Sequence, residues 1–273
     1  MQTNDELYAA MRASPMNDWV GGGDPALAAA FSDQILARML DINWKSRVLD
    51  FGAGIGRVAA AVMAREFPPR RLVGFDIVPP LVDFCRAHVS PHFPWHDLRF
   101  ELIAGDNAHY DRFIESDVSP RTRESLLAEY GSRFTHAYAF SVFTHLDGEA
   151  FVRELAFVRD LIRTRGQFLF TAFTLTPFSR RRIAEQRTDF PLPNGEYRDG
   201  ARIFVGDPAD PLAFIAYDRT VIEAFVEEAG LVITRVEYGA WMGGRLGDTL
   251  QDVYVCRKPP RDPVGARTTQ DIE

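Results

Sequence analysis

The sequence predicts an α/β protein whose doubly wound, seven-stranded sheet is mostly parallel, with helices on both faces and an antiparallel last strand. Three observations indicate this class. Short apolar runs alternate with helical patterns along most of the chain. Residues 48–58, VLDFGAGIGRV, pass from an apolar strand through glycines at alternate positions into a helix, as in the first unit of a nucleotide-binding sheet. The last two predicted strands are joined by a loop without a helix, so we expect them to pair antiparallel.

Cap and breaker residues set the bounds of the elements in the first half of the chain. Asp24 is a predicted N-cap and Pro25 a first-turn residue, whereas Phe67-Pro68-Pro69 ends a helix. The triple glycine at 21–23 predicts a hinge or loop. The predicted elements are a helix at 6–12, a helix at Pro25–Leu40, strand one at Arg47–Phe51, a helix at Arg57–Glu66, strand two at Arg71–Phe75, a helix at Leu81–His88 and strand three at Leu98–Ala104.

The second half continues the alternation and then departs from it. Thr144, with Asp147 three residues later, resembles a capping box, and Gly230 suits the end of a helix. Pro191 and Pro193, just before Asn194-Gly195, predict a hairpin-like excursion. The predicted elements are a helix at Arg121–Tyr130, strand four at Phe134–Ser141, a helix at His145–Arg163, strand five at Gly166–Phe173, a helix at Thr220–Ala229, strand six at Leu231–Tyr238 and strand seven at Gln251–Cys256.

These elements predict one domain with additions. Residues 1–23 form an N-terminal segment and candidate lid, residues 24–258 form the domain, and residues 259–273 form a charged, proline-rich tail that we expect to be mobile. Two stretches are longer than the alternation needs, so 108–133 and 174–217 are predicted insertions. The second insertion is rich in aromatic residues and arginines.

Composition limits the classes of function. The 273 residues are 46% hydrophobic, which is enough for a sizeable core. The net charge of −7 and a pI near 5.5 argue against a broad basic face for nucleic acid. No apolar run reaches membrane-spanning length, and the N-terminus lacks a signal-peptide pattern. Cys85 and Cys256, the two cysteines, lie in apolar contexts, so we expect a reduced, cytoplasmic protein.

Three histidines follow one another at intervals of four residues, and they are His88, His92 and His96. On a continuous helix they would share a face and could bind a metal ion. Pro91 and Pro94 interrupt the run and oppose such a helix. We therefore predict loop histidines in contact with solvent and no metal site.

The glycine spacing distinguishes two kinds of nucleotide site. A dinucleotide fingerprint reads G-x-G-x-x-G, whereas this chain reads D-x-G-x-G-x-G, with Asp50 two residues before Gly52. This motif resembles that of class I S-adenosylmethionine-dependent methyltransferases, and SVFTHL at 141–146 resembles a run in a bacterial subgroup of them. The resemblance covers about Asp24–Lys258. It implies a Rossmann-like fold, S-adenosylmethionine as cofactor and S-adenosylhomocysteine as product.

The resemblance also implies roles at the carboxyl ends of the strands. The glycine loop would pass under the methionine part of the cofactor, Asp50 would contact its amino-acid end, and Asp106 would lie near adenine. Asp76 follows an apolar strand, at an edge where a carboxylate suits ribose hydroxyls. The predicted cofactor-binding residues are Asp50, Gly52, Ala53, Gly54, Gly56, Asp76, Ile77, Asp106, Asn107 and Ser141.

We therefore expect an enzyme that transfers a methyl group from S-adenosylmethionine to a small-molecule acceptor. An NAD(P)-dependent oxidoreductase is one alternative, although the glycine spacing and Asp106 argue against it. A non-catalytic regulator that binds S-adenosylmethionine is another alternative that the sequence leaves open. Phe140-Ser141-Val142-Phe143 stands where base-amino methyltransferases have an N/D-P-P-Y-like run, which argues against nucleic-acid acceptors. Neither a membrane nor a nucleic acid is an expected partner, and a homodimer stays open.

The acceptor side is predicted from position. Residues 174–217 leave the ligand edge after strand five, so we expect them to line the acceptor pocket together with residues 1–23. The predicted acceptor-binding residues are Arg180, Tyr197 and Phe204, with a solvated basic face as the alternative for the arginine. His145 lies just past strand four, in the predicted first turn of a helix, where the helix dipole favours neutral imidazole. It is the predicted catalytic base, and packing or capping is the alternative.

Overall fold

The structure, a computed structural model, describes residues 3–105, 119–243 and 249–260. Its helices are α1 Asn4–Ala13, α2 Met16–Trp19, α3 Pro25–Met39, α4 Arg57–Met63, α5 Pro79–Phe84, α6 Arg123–Tyr130, α7 Gly148–Leu161, α8 Pro177–Ala184 and α9 Arg219–Glu228. Its strands are β1 Arg47–Phe51, β2 Arg71–Asp76, β3 Asp97–Leu102, β4 Phe134–Ala139, β5 Ile162–Leu175, β6 Glu196–Arg198, β7 Ile203–Val205, β8 Ile215–Asp218, β9 Val232–Glu237 and β10 Asp252–Arg257. None of these helices combines the length and apolar character needed to cross a lipid bilayer.

The central sheet has the strand order β3-β2-β1-β4-β5-β10-β9. Neighbours from β3 to β5 are parallel, and β10 is antiparallel to both β5 and β9. This order confirms the predicted doubly wound sheet and its antiparallel last strand. The carboxyl ends of the five parallel strands meet at one edge, which is where open sheets of this kind bind ligands.

Helices cover both faces of the sheet because β1 is buried on both sides. Val48 packs in a core with residues of α1, α3, α4 and α5. Its neighbour Leu49 points the other way and packs with residues of α6, α7 and α9, as the alternation of side chains along a strand requires. Asp50 interrupts this apolar strand, and it does so at the edge where ligands bind.

Residues 174–217 extend the sheet by three strands. β8 runs parallel to the end of β5, and β7 lies antiparallel between β8 and β6. The predicted hairpin exists, but its turn lies at 199–202, where Asp199, Gly200 and Ala201 have positive φ. A turn does form at Asn194-Gly195, where the Gly195 amide donates to the Leu192 carbonyl at 3.3 Å, but it precedes β6 and does not connect the strands of the hairpin. Gly195 also lies against a phenyl ring, because a Cβ there would be 2.1 Å from Phe204 Cζ.

The helix predicted at His145–Arg163 begins later than the sequence indicated. α7 starts at Gly148, because the Asp147 carboxylate accepts a hydrogen bond from the Ala150 amide at 2.8 Å and caps the helix. Thr144 does not cap it: its Oγ1 is buried without a hydrogen-bond partner. His145 lies in a separate 3₁₀ turn at Phe143–His145. The prediction that His145 occupies the first turn of the helix is therefore wrong.

Other predicted elements are in place with shifted ends. α4 stops at Met63, short of Glu66, and β5 runs from Ile162 to Leu175 because both ends of the strand find partners. The helix predicted at Leu81–His88 is α5, which begins at Pro79 and continues into a π turn at Cys85–Val89.

The three spaced histidines are separated by this irregular backbone. His92 Nε2 donates to Asn4 Oδ1 at 2.9 Å, and the His88 ring lies 4.6 Å from the Phe84 ring. In the part of the chain that the structure describes, no three His, Cys, Asp or Glu side chains gather as metal ligands.

Candidate functional site

The glycine loop between β1 and α4 is fastened to the end of β2. The amides of Gly52 and Ala53 donate to the Phe75 carbonyl at 2.8 and 3.0 Å. The Gly54 amide donates to Asp76 Oδ2 at 2.8 Å. The φ values of Gly52, Gly54 and Gly56 are +83°, +56° and +77°. These left-handed conformations favour glycine, so the three alternate glycines are required by the shape of the loop.

The same loop contacts the segment that follows β4. A Cβ on Gly52 would lie 2.2 Å from Val142 Cγ2, which is too close for any side chain. The bare backbone of Gly52 therefore lets the two segments meet at the sheet edge. Both segments line one cavity of about 1260 Å³.

Asp50 is a buried carboxylate that lines this cavity. Burial raises the pKa of Asp50 to about 8, Tyr138 lowers it and the nearby Asp76 raises it further. Neither Asp50 Oδ2 nor the Tyr138 hydroxyl has a hydrogen-bond partner of normal geometry among the described residues. A buried carboxylate oxygen without a partner is costly, so the site suits a cationic or hydrogen-bond-donating ligand.

The Asp76 carboxylate accepts hydrogen bonds from backbone amides and also lines the cavity. Its Oδ2 accepts from the Gly54 amide, and its Oδ1 accepts from the Val78 amide at 3.0 Å. Burial raises the pKa of Asp76, and these backbone bonds lower it. Each carboxylate oxygen can accept a second hydrogen bond, so Asp76 can fix the glycine loop and still accept from hydroxyl groups. Ile77 lines the cavity beside it.

The segment after β4 brings Ser141 to the cavity in a strained conformation. Ser141 has φ +58°, and its amide donates to Thr171 Oγ1 at 2.8 Å. Both Ser141 Oγ and Thr171 Oγ1 donate to Gln251 Oε1, at 3.1 and 2.6 Å. Such strain in a non-glycine residue persists only where neighbours impose it, and it is common at functional sites.

The N-terminal segment closes another side of the cavity. Residues 18–22 line it, together with the α3 residues Ala28, Phe31, Ser32 and Ile35. The Arg57 guanidinium at the start of α4 donates to the carbonyls of Val20 and Gly22, and burial lowers the pKa of Arg57. The predicted lid is thus attached to the helix that follows the glycine loop.

The excursion contributes apolar residues to the cavity, and they are Phe190, Pro191, Leu192, Ala213 and Phe214. Arg180, Tyr197 and Phe204 are absent from the described residues that line it. Arg180 donates to the Ala201 carbonyl at 2.6 Å and to Asp218 at 2.8 Å, and lies over the Tyr197 ring. Phe204 is buried in a cluster that the excursion forms with Phe173, Trp241 and Met242. These three residues fasten the excursion, so the structure gives them a different position from the predicted one.

His145 connects the segment after β4 to the excursion and lines the cavity. Its Nδ1 lies 2.8 Å from the Leu212 carbonyl oxygen. A carbonyl oxygen only accepts, so Nδ1 carries the proton, and Nε2 is the acceptor nitrogen of the neutral ring.

The sequence missed several residues that line the cavity. Thr171 lies near the end of β5, and Gln251 immediately precedes β10. Because β10 is antiparallel, its start lies at the carboxyl edge of the parallel strands, and this signal was present in the predicted topology. Asp106 and Asn107, two predicted cofactor residues, lie outside the described residues.

Comparison with known proteins supports the fold. Residues 26–235 match a family model described as a methyltransferase domain. The protein-L-isoaspartate O-methyltransferase of Methanopyrus kandleri is 29% identical over 115 residues, which are 40% of this chain and 50% of that protein. The chain therefore spans about half the length of this curated relative.

Solved structures with low sequence identity share the architecture. The PH0226 protein of Pyrococcus horikoshii OT3 has a TM-score of 0.56 at 13% identity, covering 92% of this chain and 99% of that one. The Burkholderia thailandensis 1,6-didemethyltoxoflavin-N1-methyltransferase, whose structure contains 1,6-didemethyltoxoflavin and S-adenosylhomocysteine, has a TM-score of 0.53 at 19% identity, covering 95% and 92%. At these identities the likeness is one of fold.

Proposed function

Since the chain belongs to the methyltransferase domain family and S-adenosylmethionine is its cofactor, we propose that it methylates a small-molecule acceptor bound in the same cavity. The size and lining of the cavity carry this proposal. Its volume of about 1260 Å³ exceeds the roughly 300–1,000 Å³ of ordinary ligand pockets. It extends from the glycine loop to apolar residues of the excursion. One part can hold the cofactor while another holds an acceptor.

The residues at the glycine loop fit the cofactor. When bound, S-adenosylmethionine supplies a methyl group on a positively charged sulfur that leaves as a neutral thioether. The carboxylate of Asp50, which is buried and lines the cavity, suits the ammonium group of the amino-acid end. The remaining acceptor positions of Asp76 suit the ribose hydroxyls. We assign Gly52, Ala53, Gly54, Gly56, Ile77 and Ser141 to the same subsite, and keep Asp106 and Asn107 as proposed adenine contacts.

His145 is the proposed base for an acceptor hydroxyl. Its bond to the Leu212 carbonyl fixes the tautomer in which Nε2 accepts a proton, and the same bond holds the ring between the segment after β4 and the excursion. The acceptor must be held in line with the methyl group and kept from water. The apolar residues of the excursion would exclude water on the acceptor side.

The proposal is tested by S-adenosylhomocysteine release from purified protein supplied with S-adenosylmethionine and a deproteinised cell extract. We expect release that depends on the extract, and we expect His145→Ala to lower it by roughly 10²–10⁴-fold at saturating cofactor, as for loss of a general base. Cofactor affinity should be unchanged, because His145 is assigned to the acceptor.

The matched control is His92→Ala, since His92 bonds Asn4 away from the cavity; turnover should equal that of wild type. A His145→Ala variant with full turnover would contradict the assignment of the base. Cofactor binding without release in any extract would instead support the alternative of a non-catalytic regulator.

Asp50 should make cofactor affinity depend on pH. Burial raises the pKa of Asp50 to about 8, so below that pH the carboxyl is mostly protonated in the cofactor-free protein. Contact with an ammonium group lowers the pKa again, so binding must release this proton. We expect calorimetric affinity for S-adenosylhomocysteine to rise by up to about tenfold per unit between about pH 6 and 7.5, and to level off near pH 8.

Asp50→Asn removes the titrating group and keeps the shape of the side chain. This variant should bind S-adenosylhomocysteine less tightly than the wild-type protein at pH 8. The part of the pH dependence of affinity that comes from Asp50 should be absent. An equal pH dependence of affinity in the two proteins would mean that Asp50 does not contact the cofactor's amino group.

A further inference from the structure

One side of the cavity is an aromatic wall formed by Phe173, Phe190 and Phe214. The rings of Phe173 and Phe214 are stacked, 4.2 Å apart with an interplanar angle of 18°. The Phe190 ring lies 5.6 Å from that of Phe214. Trp241, which is fully buried, supports the Phe173 ring from 5.1 Å. Phe173 and Phe214 are only 4% and 7% exposed, whereas Phe190 is half-buried, so the wall is a fixed apolar surface on which Phe190 is the most accessible ring for a flat molecule.

The wall carries no charge because the arginines of the excursion are engaged elsewhere. Arg180 bonds Ala201 and Asp218. Arg182 donates to the carbonyls of Met242 and Gly243 at 2.8 and 3.0 Å. Neither arginine lies among the described residues that line the cavity. An anionic acceptor, such as a phosphate ester, would therefore find no counter-charge at the wall.

Among the described residues, three arginines line other parts of the cavity, and each belongs to another contact. Arg153 pairs with Glu154 at 3.2 Å. Arg57 is bonded to the carbonyls of the N-terminal segment. Arg123 pairs with Glu154 at 2.7 Å, and its guanidinium lies 4.6 Å from the Phe157 ring. These residues come from α4, α6 and α7, whereas the wall comes from β5 and the excursion.

His145 is bonded to the segment that carries part of the wall, since its Nδ1 donates to the Leu212 carbonyl, two residues before Phe214. Proton transfer to a neutral imidazole costs less free energy when the hydroxyl is more acidic. A phenol has a pKa of about 10, which is about 3.5 units above that of imidazole. An aliphatic hydroxyl is closer to water, at about 15.7. The base favours a phenol-type hydroxyl and the wall favours a flat ring, so both favour an aromatic alcohol.

We infer that the acceptor is a flat, uncharged aromatic molecule with a phenol-type hydroxyl, stacked on the aromatic wall with its oxygen towards His145. This inference rests on the proposed function. The hydroxyl proton passes to His145 Nε2 and then to solvent. The acceptor oxygen forms a bond to the methyl carbon, and the electron pair of the broken carbon–sulfur bond stays on sulfur.

The test uses three probes that share a bicyclic framework: 2-naphthol, its saturated counterpart decahydro-2-naphthol, and 2-naphthyl phosphate. Each is titrated by calorimetry into the protein saturated with S-adenosylhomocysteine. We expect 2-naphthol to bind at least tenfold more tightly than either of the others. With S-adenosylmethionine it should yield 2-methoxynaphthalene and one equivalent of S-adenosylhomocysteine.

Phe190→Ala tests the wall directly, because Phe190 is only half-buried in its loop. Affinity for 2-naphthol should fall at least fivefold, and unchanged affinity for S-adenosylhomocysteine shows that the variant is folded. Leu192→Ala is a second variant with the same expectation. Phe178→Ala is the matched control, since Phe178 belongs to the excursion, is 42% exposed and does not line the cavity.

The outcomes separate this inference from the proposed function. Equal binding of the saturated probe, tighter binding of the phosphate, or no effect of Phe190→Ala and Leu192→Ala overturns the aromatic acceptor. Methyl transfer to molecules in a cell extract without 2-naphthol binding overturns this inference alone. Binding of 2-naphthol to the wall, with no methyl transfer to it or to any extract, overturns the proposed function and the methyl acceptor with it.

Discussion

Gly54→Val should abolish S-adenosylmethionine binding at concentrations where the wild-type protein is saturated. We expect a wild-type Kd in the micromolar range, which is a binding free energy of about −8 kcal/mol. In the variant the affinity should fall at least 100-fold, which is about 2.7 kcal/mol of binding free energy. Gly54 has φ +56°, and a Cβ there would lie 3.1 Å from Val20 Cγ1. A β-branched residue cannot hold this conformation without strain. The loop must therefore move, and the bond from its amide to Asp76 must break.

Gly200→Val is the matched control for backbone strain. Gly200 has φ +59° with no atom within 4 Å of its Cβ position, and it lies in the hairpin turn away from the cavity. This variant introduces the same left-handed backbone strain without a steric contact, and it should keep full cofactor affinity by calorimetry. Wild-type affinity in Gly54→Val would show that the glycine loop does not bind the cofactor.

Asp252→Ala should give a large loss of stability, about 3–5 kcal/mol in the free energy of unfolding. Asp252 is fully buried at the start of β10. Its carboxylate accepts from the amides of Thr174 and Gly239 at 2.7 Å each, and from Trp241 Nε1 at 3.0 Å. Alanine would leave three buried donors without a partner, at roughly 1–3 kcal/mol each. We expect a Tm lower by about 6–20 °C for a domain of this size.

The measurement should be made at pH 8, because burial raises the pKa of Asp252 to about 6, and the carboxylate is ionised above that value. Asp207→Ala is the control. Asp207 is an exposed acid whose carboxylate accepts a single turn bond, from the Ala209 amide, and its loss should change stability by less than about 1 kcal/mol. If the free energy of unfolding of Asp252→Ala differs from that of the wild type by less than about 1 kcal/mol, the hydrogen-bond donors around Asp252 find other acceptors.

Local residue patterns predicted several of the residues that line the cavity. The glycine loop, the position of Asp50 and the placement of Asp76 at the end of β2 followed from a strand, a turn and a helix in sequence order. The cap of α7 was also readable locally, although Thr144 was chosen in place of Asp147. The structure decides that choice because Asp147 directly precedes Gly148 and its carboxylate reaches the Ala150 amide.

Contacts between residues that are far apart in the chain could not be predicted from the sequence. Nothing in the pattern of Arg180 indicates that its guanidinium is engaged with Ala201 and Asp218 and so lies outside the cavity lining. Likewise, Ser141, Thr171 and Gln251 form a hydrogen-bonded group across three segments of the chain. Such contacts depend on how strands are ordered and how far a side chain reaches, which no single window of sequence contains.

The sequence by itself determined the alternation of strands and helices, the antiparallel last strand and the glycine loop, because periodicity, caps and left-handed glycines are local properties of the backbone. Only the tertiary structure decided what the excursion presents to the cavity. Its Arg180 and Arg182 find carbonyl and carboxylate partners, whereas its Phe190 and Phe214 line the cavity, as His145 does. The physical reason is that a partly buried guanidinium is stabilised by hydrogen-bond acceptors, and the folded chain alone determines where those acceptors lie.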